Sequence, residues 1–192
     1  MMEPITPDNP INPETKQFLD HLGNGAVLLA RDALQDPNFK ASVVLICIYS
    51  KEAGAYGLVI NRRSHMPLSE IFDGFSEMLE PREVFIGGPV QQEEIQIVQI
   101  TDDPVPNSHP VAPRVYLGGK WENIDQMFMY DEASTHLFLG YSGWAAGQLE
   151  AEIAAGAWQV YRINLEVLLQ NIDKVITGDM QSIEAFFGTI KT

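Results

Sequence analysis

The residues best placed for covalent chemistry stand in Gly140-Tyr141-Ser142-Gly143-Trp144, where a serine lies between a predicted strand and a predicted helix. A nucleophile elbow has this setting, and its Gly-x-Ser-x-Gly pattern lets a strained turn expose the serine hydroxyl. Here Trp144 occupies the position of the last glycine. We therefore predict a structural role for Ser142, and a hydrolase that uses this serine is the weaker alternative.

The histidines, the cysteine and the glycines lack the spacings that metal-binding and phosphate-binding motifs require. The four histidines lie in unrelated segments without a His-x-x-x-His pattern, and the single cysteine has no Cys-x-x-Cys partner. Gly87-Gly88-Pro89 is not followed by Gly-Lys-Ser or Gly-Lys-Thr, so it is not a phosphate loop. A backbone that turns sharply after a buried strand explains this motif better. The sequence predicts no metal site and no cofactor.

The remaining reactive side chains also lack a catalytic pattern. Glu150 and Glu152 are two residues apart on a predicted helix. Their side chains therefore face different sides and do not form an acid–base pair. Cys47 lies in the apolar run Val43-Val44-Leu45-Ile46-Cys47-Ile48-Tyr49, where a thiol packs as a small hydrophobic side chain. We predict that Cys47 is buried and unreactive.

The charge balance disfavours nucleic-acid binding. The chain has 12 basic and 26 acidic residues and a net charge of −14, whereas proteins bind nucleic acids through lysine and arginine. The same field repels anionic membranes, although a local basic pocket could oppose it. No apolar stretch approaches the roughly 18 residues of a membrane span, and the beginning of the chain lacks the features of a signal peptide. We expect a cytoplasmic protein that binds neither nucleic acid nor membrane.

The elements that position these residues follow from apolar periodicity, because alternating or short apolar runs predict strands and a three- and four-residue spacing predicts helices. The predicted strands are residues 26–30, 43–49, 56–60, 84–86, 95–100, 115–117, 137–141 and 158–163. The predicted helices are residues 13–22, 68–79, 121–129, 145–155, 165–171 and 182–187, and residues 102–113 form a long loop. Residues 1–12 are expected to be a flexible arm before one domain at residues 13–192.

The order of these elements indicates the fold class. Hairpins are mixed with βαβ-like stretches, which does not fit a doubly wound parallel sheet. We predict an α+β fold: a single domain with a curved, partly barrel-like mixed sheet flanked by helices. The hydrophobic residues, 45% of the chain, are enough for a full core.

Five blocks of the sequence resemble the AlgH-like family of bacterial proteins. They are residues 34–39, 42–47, 54–62, 84–90 and 139–150, in the order in which the family has them. The resemblance runs from about residue 25 to residue 158 and implies an α+β fold with a barrel-like sheet. It implies little about function, because the members are largely uncharacterised. The family name comes from a proposed regulatory role in alginate synthesis, so a transcriptional regulator is a further alternative.

The chain departs from the family at several polar positions. Ile48-Tyr49 stands where the family usually has Glu-His, and Asn61-Arg62-Arg63 stands where it has Asn-Arg-Pro or Asn-Lys-Pro. Residues 91–95 replace a stretch with Asp-Arg-Gly-Phe, and residues 143–148 replace Gly-Trp-Gly-Pro-Gly-Gln. A polar site that relied on the family's His, Asp or Arg would therefore be altered in this chain.

Three segments each end a buried strand with residues that a core does not need. They are Asn61, Gly87-Gly88-Pro89 and Ser142-Gly143-Trp144. Glycine at a strand end lets a ligand or another backbone approach closely. We predict that the segments meet in one concave region, the strand-end groove, faced by Asn61, Trp144 and Gln148. The predicted binding residues are Asn61, Arg62, Gly87, Gly88, Pro89, Ser142, Gly143, Trp144 and Gln148.

A simpler interpretation of these segments is that the glycines relieve backbone strain and Trp144 fills the core. The function that the sequence favours is a non-enzymatic, cytoplasmic binding or regulatory domain. Its partner is a protein or a small molecule that the sequence does not identify. The alternative is an enzyme, such as a hydrolase, that acts in the same groove. A transcriptional regulator follows only from the family name, and the net charge of −14 disfavours it.

Overall fold

A computed structural model of the chain describes residues 11–67, 70, 83–118, 134–176 and 179–192. The strands are β1 (Val27–Ala30), β2 (Val43–Ser50), β3 (Gly54–Val59), β4 (Val84–Ile86), β5 (Val90–Ile100), β6 (His109–Ala112), β7 (Val115–Leu117), β8 (Thr135–Trp144) and β9 (Trp158–Tyr161). The helices are α1 (Pro13–His21), α2 (Gln148–Ala154), α3 (Leu165–Gln170), α4 (Asp173–Ile176) and α5 (Met180–Thr189). The predicted helices at residues 68–79 and 121–129 lie outside the described residues, residue 70 excepted, and so do residues 1–10 of the predicted arm.

The nine strands form one sheet in the order β6-β7-β5-β8-β3-β2-β1-β9, with β4 paired to β8 beside this path. Every pairing is antiparallel except that of β4 with β8, so the sheet is mixed. Strand β6, at one end of the order, also contacts β2. The sheet therefore curls strongly without closing, and the predicted α+β class with a partly barrel-like sheet is confirmed.

Strand β2 shows how the sequence builds cores on both faces of this sheet. Successive side chains of a strand point to opposite faces. Val43, Leu45 and Cys47 belong to the larger core on the concave face, whereas Val44 and Ile46 belong to the core on the convex face. Helices α3, α4 and α5 complete the concave core, and α2 completes the convex core. Strand β2 is therefore covered on both faces along residues 43–47.

Two predicted boundaries change for physical reasons. Strand β6 lies inside the segment predicted to be a loop, and its Pro110 is tolerated because β6 is the last strand of the order. Helix α2 begins at Gln148 rather than at residue 145, because Gly147 has a φ of +79°, in the left-handed region, which interrupts the right-handed helix. Strands β5 and β8 are also longer than predicted.

Candidate functional site

The side chain of Asn61, just after β3, is buried and fully bonded. Its Oδ1 accepts from the backbone N–H of Val43 at 2.9 Å. Its Nδ2 donates to the carbonyls of Ala41 and Val175, each at 3.1 Å. Because Asn61 is only 8% exposed, these bonds satisfy groups that water does not reach. Asn61 therefore ties together the start of β2, Ala41 two residues before it, and α4.

The next residue, Arg62, holds the same part of the chain. Its guanidinium donates to the carbonyl of Asn38 at 2.5 Å and to that of Lys40 at 3.0 Å. Burial lowers the pKa of Arg62, and the nearby charge of Asp36 opposes that shift. We call residues 31–42 the β1–β2 connector. Asn61 and Arg62 together bind three of its carbonyl groups, so both residues serve to fix this segment.

One residue of the connector, Ala41, has an unfavourable backbone conformation that the surrounding hydrogen bonds hold in place. Ala41 has a φ of +57°, in the left-handed region that residues with a side chain rarely adopt. Conformations of this kind persist only where the surroundings hold them. The bond from Asn61 to the Ala41 carbonyl is one such restraint. Ser42 provides another, because its hydroxyl donates to the carbonyl of Phe39 at 2.7 Å.

Trp144 lies in the convex core and packs against the connector from the other side. The centroid of its ring is 5.8 Å from that of Phe39 and 6.3 Å from that of Trp158. Glu152 Oε1 accepts hydrogen bonds from the indole N–H of Trp144 at 3.4 Å and of Trp158 at 3.2 Å. Trp144 is 5% exposed. The ring therefore fills the core, as the simpler interpretation of the sequence has it.

The structure does not bring Asn61 and Trp144 together. Trp144 is the register partner of Ala55 in the β3–β8 pairing, and Asn61 lies six residues further along the chain than Ala55. At about 3.3 Å for each residue of a strand, the two sites are roughly 20 Å apart. The strand-end groove faced by Asn61, Trp144 and Gln148 stays a prediction. The contacts show that Asn61 and Trp144 both touch the connector. The side chains hold the connector from two sides.

Gly87-Gly88-Pro89 and Ser142 are in contact, and this contact holds two backbone segments together. The Gly87 carbonyl accepts from the backbone N–H of Val59 at 2.8 Å and from the Ser142 hydroxyl at 3.1 Å. A side chain at Gly88 would collide with the backbone of Tyr141 and with Ser142 Oγ. Ser142 is fully buried, so its hydroxyl serves the close approach of two backbones. This burial agrees with the structural role predicted for Ser142.

The other predicted binding residues lie at the surface. Pro89 and Gly143 are exposed, and Gly143 pairs with Tyr56 in the sheet. Gln148 caps the turn before α2 through its bond from Ala145. A role of these residues in ligand binding stays a prediction. Cys47 is fully buried, as predicted, and burial raises the pKa of its thiol.

A cavity lies where the connector faces α5. It has a volume of about 190 Å³. We call it the connector cavity. Its apolar lining consists of Leu29, Ala30, Leu34, Ala41, Met180 and Ile183. Its polar lining consists of Arg31, Asp32, Gln35 and Lys40. Asn61 donates to the carbonyl of Ala41, and Arg62 donates to that of Lys40. Both acceptors line the cavity, so Asn61 and Arg62 fix the backbone of its wall.

The cavity lining carries side chains of both charges. Arg31 and Lys40 face a single lining carboxylate, that of Asp32. Arg31 pairs with Glu14 at 2.8 Å, and the Glu14 side chain is 58% exposed. Within the described part of the chain, no ion pair involves Lys40 or Asp32. Local sequence patterns do not single out Arg31 and Lys40, because both residues lie in an irregular segment. The only signal was their basic character in a chain with a net charge of −14.

The described residues include no group of three or more His, Cys, Asp or Glu side chains that could hold a metal ion. None of the helices in the described ranges combines the length and the apolar character that a membrane crossing requires.

Comparison with known proteins matches residues 27–181 to the model of the AlgH-like family. A UPF0301 protein of Chlorobaculum tepidum is 36% identical over 147 residues, which are 75% of this chain and 76% of the relative. A UPF0301 protein of Marinomonas is 35% identical over 157 residues, 79% of this chain and 82% of the relative.

Two solved structures resemble the fold. The solution structure of the AlgH protein of Pseudomonas aeruginosa superposes with a TM-score of 0.71 at 22% identity, covering 99% of this chain and 94% of that one. The crystal structure of a Corynebacterium diphtheriae protein gives a TM-score of 0.62 at 26% identity, covering 72% of this chain and 75% of that one. At 22% identity the first likeness concerns the fold alone.

Proposed function

The chain belongs to the AlgH-like family, and we propose that it is a non-enzymatic domain that binds a small molecule in the connector cavity. The family is uncharacterised, so membership supplies the fold but no activity. The observation that carries the proposal is that the Asn61 side chain holds the cavity wall at Ala41 to α4 through two hydrogen bonds. One bond goes to the carbonyl of the lining residue Ala41, and the other goes to Val175 in α4, just before the helix that closes the cavity.

This arrangement resembles a preformed binding site. Ligand sites are concave and mostly apolar, and a few placed polar groups give them orientation and specificity. The connector cavity has an apolar majority and four polar side chains. Its irregular wall is held by buried hydrogen bonds, which lowers the entropy that a ligand would otherwise lose in ordering it.

The lining supports binding rather than catalysis. The described side chains around the cavity include no serine, threonine, cysteine, histidine or tyrosine. Covalent catalysis needs a nucleophile within hydrogen-bond reach of a base. Ser142, the candidate nucleophile of the sequence, lies in the core and donates to the Gly87 carbonyl. Neither the lining of the connector cavity nor the buried position of Ser142 favours the hydrolase alternative.

The partner and location belong to the same proposal. We propose a cytoplasmic protein that contacts neither nucleic acid nor membrane directly, because a net charge of −14 opposes both surfaces. A titration with duplex DNA at low and physiological salt tests the first point. Tight binding that weakens steeply with salt would support the transcriptional regulator instead.

The small-molecule site is tested by backbone amide NMR of the isotope-labelled protein. The probes are a panel of neutral alcohols, neutral amides and short carboxylic acids, each of a few non-hydrogen atoms. Ligands of the connector cavity should shift the amide signals of the connector and of the first turn of α5. Because Met180 lines the cavity, Met180→Trp should fill it and abolish these shifts.

The matched control is Phe186→Trp on the same helix, which lines a different surface groove. This variant should bind the panel as the parent protein does. If no member of the panel shifts the connector signals, or if Met180→Trp binds as well as Phe186→Trp, the proposed function is wrong.

A further inference from the structure

We infer that the rim of the concave face docks an arginine-containing segment of a partner protein. The docking surface, which we call the tyrosine surface, consists of Ile48, Tyr56, Val90, Tyr141 and Gly143. The inference goes beyond the proposed function, because this surface shares no residue with the connector cavity. It follows from the strand pairing, the exposure of these residues and the charge beside them.

The tyrosine surface crosses four neighbouring strands. Ile48 in β2 is the register partner of Tyr56 in β3, which in turn pairs with Gly143 in β8. Tyr141, two residues before Gly143, pairs with Val90 in β5. Paired residues share a face of a sheet, and so do residues two apart in a strand. The rings of Tyr56 and Tyr141 are stacked, with their centroids 4.6 Å apart, and both pack against the concave core. The five residues therefore extend that core to the rim of the sheet.

The tyrosine surface is apolar and open. Ile48 is 39% exposed and Val90 is 37% exposed, while the two tyrosines are half-buried and Gly143 is exposed. Single exposed apolar side chains need no explanation, but a contiguous group of them marks an interaction site. Across four strands the surface measures about 14 Å, the length of about four residues of an extended chain. A short peptide segment therefore matches its size.

The charge beside the tyrosine surface is negative. The Tyr56 hydroxyl donates a hydrogen bond to Gln96 Oε1 at 2.7 Å. Burial raises the pKa of Tyr56, and repulsion from the charge of Glu94 is among the causes that raise it further. The Glu94 carboxylate therefore lies close to the stacked rings. Glu93 and Glu94 are both exposed, and neither forms an ion pair with another described residue. A cationic segment complements this charge.

Stacked aromatic rings beside a carboxylate favour arginine over lysine. A guanidinium is planar, stacks on the face of an aromatic ring and binds a carboxylate through two hydrogen bonds. It is also more weakly hydrated than an ammonium group, so it loses less when it docks against apolar side chains. An arginine that stacks on Tyr141 or Tyr56 lies within the field of Glu94. Apolar residues beside that arginine can contact Ile48 and Val90.

The probe is the peptide acetyl-Leu-Arg-Arg-Leu-amide, titrated into the isotope-labelled full chain at constant ionic strength and followed by NMR. It should shift the amide and ring signals of Tyr56 and Tyr141 and the amide signal of Gly143. The matched peptide has citrulline in place of both arginines, which keeps the shape and removes the charge. It should bind at least about tenfold more weakly, because hydrogen bonds to charged groups contribute more than those to neutral groups.

Gly143 offers a test of the charge that leaves the fold intact. A β-carbon there would meet only the Tyr141 ring, at 3.6 Å, which is an ordinary contact. Gly143→Lys and Gly143→Gln should therefore both fold, and they place side chains of similar length on the surface. Gly143→Lys should bind the arginine peptide about tenfold more weakly than Gly143→Gln, because it adds a like charge.

Two matched pairs of variants test the aromatic ring and the carboxylate. Tyr141→Leu should weaken peptide binding several-fold, whereas Tyr116→Leu, at a half-buried tyrosine of β7 outside the surface, should have no effect. Glu94→Gln should weaken binding several-fold, whereas the same change in α5, Glu184→Gln, should have little effect.

Several results would overturn the inference and leave the connector cavity to its own test. They are the absence of binding at millimolar peptide, equal binding of the arginine and citrulline peptides, and equal binding by Gly143→Lys and Gly143→Gln. Equal losses within either matched pair of variants would do the same. If the signals of β3 and β8 instead change with protein concentration alone, a second copy of the chain covers the surface, and the inference is likewise wrong.

Discussion

The side-chain amide of Asn61 donates a hydrogen bond at 3.1 Å to the carbonyl of Val175, 114 residues further along the chain. The same amide nitrogen bonds the Ala41 carbonyl. One buried side chain thus joins the end of β3, the connector and α4. The geometry of the connector cavity depends on this junction.

Asn61→Ala should lower the free energy of unfolding by about 2–3 kcal/mol, because it leaves buried N–H and C=O groups without partners. Asn61→Asp should also destabilise the protein, since a carboxylate cannot donate to Ala41 and Val175. Chemical denaturation measures both changes. The matched control is Asn171→Ala, whose side chain donates one hydrogen bond at the end of α3 and whose loss should cost about 1 kcal/mol. If Asn61→Ala and Asn171→Ala lowered the free energy of unfolding equally, Asn61 would not be the junction of β3, the connector and α4.

Arg62→Ala should loosen the connector more than it lowers global stability. Its guanidinium binds the carbonyls of Asn38 and Lys40, so the loss should be about 1–2 kcal/mol. Amide hydrogen exchange should accelerate in residues 38–41. The neighbouring Arg63→Ala removes an exposed pair with Glu83 and should cost less than about 1 kcal/mol, because such pairs contribute little. Unchanged exchange in the connector of Arg62→Ala would show that the arginine does not hold it.

Gly88→Ala should destabilise the fold severely, by at least about 3 kcal/mol, because the new methyl group would force two strands apart. The collision involves the backbone of Tyr141 and the hydroxyl of Ser142, neither of which is the end of a flexible side chain. Gly188→Ala is the control, since that position in α5 has open space around it. Alanine there should be neutral or stabilising by up to about 1 kcal/mol. Thermal unfolding compares the two, and similar stabilities would refute the close packing at Gly88.

Tyr49 should ionise at unusually high pH. Burial raises its pKa to about 12, and a hydrogen bond to Glu150 together with the charges of Glu150 and Glu52 adds to the shift. The ordinary pKa of tyrosine is about 10. Because the folded pKa is the higher one, the stabilising contribution is complete below about pH 10 and is lost as the pH rises through about 12.

An ultraviolet titration that compares the parent protein with Tyr49→Phe isolates this group. Glu150→Gln should lower the pKa of Tyr49 towards its ordinary value, since it removes the charge that opposes ionisation. A difference titration centred on the ordinary pKa of tyrosine would mean that Glu150 does not hold the phenol.

The strands of this fold are largely predictable from the sequence, and β6 shows why the rest is not. The apolar run of β2 predicts a strand covered on both faces, which the two cores confirm along residues 43–47. The prolines around β6 indicate a loop, because local patterns do not show that a strand will lie at the end of a sheet, where Pro110 costs no ladder hydrogen bond. The position of a strand in the sheet is set by distant partners.

The candidate site was less predictable for the same reason. The sequence singles out Asn61 and Trp144 but does not show that they stand near opposite ends of β3. The partners of Asn61 lie 20 and 114 residues away in the chain, so the role of the motif depends on long-range packing. Leu34 and Ile183 likewise line the same cavity, although they are far apart in the chain and no periodic sequence pattern relates them.

The connector cavity is tested most directly by intermolecular nuclear Overhauser effects between a bound probe of the small-molecule panel and the side chains of the labelled protein. We expect contacts from the probe to the methyl groups of Leu34 and Ile183, which line the connector cavity, and none to Trp144 or Gln148. Contacts to Trp144 or Gln148 without contacts to the connector would place the site in the strand-end groove and would show that the connector cavity does not bind the probe.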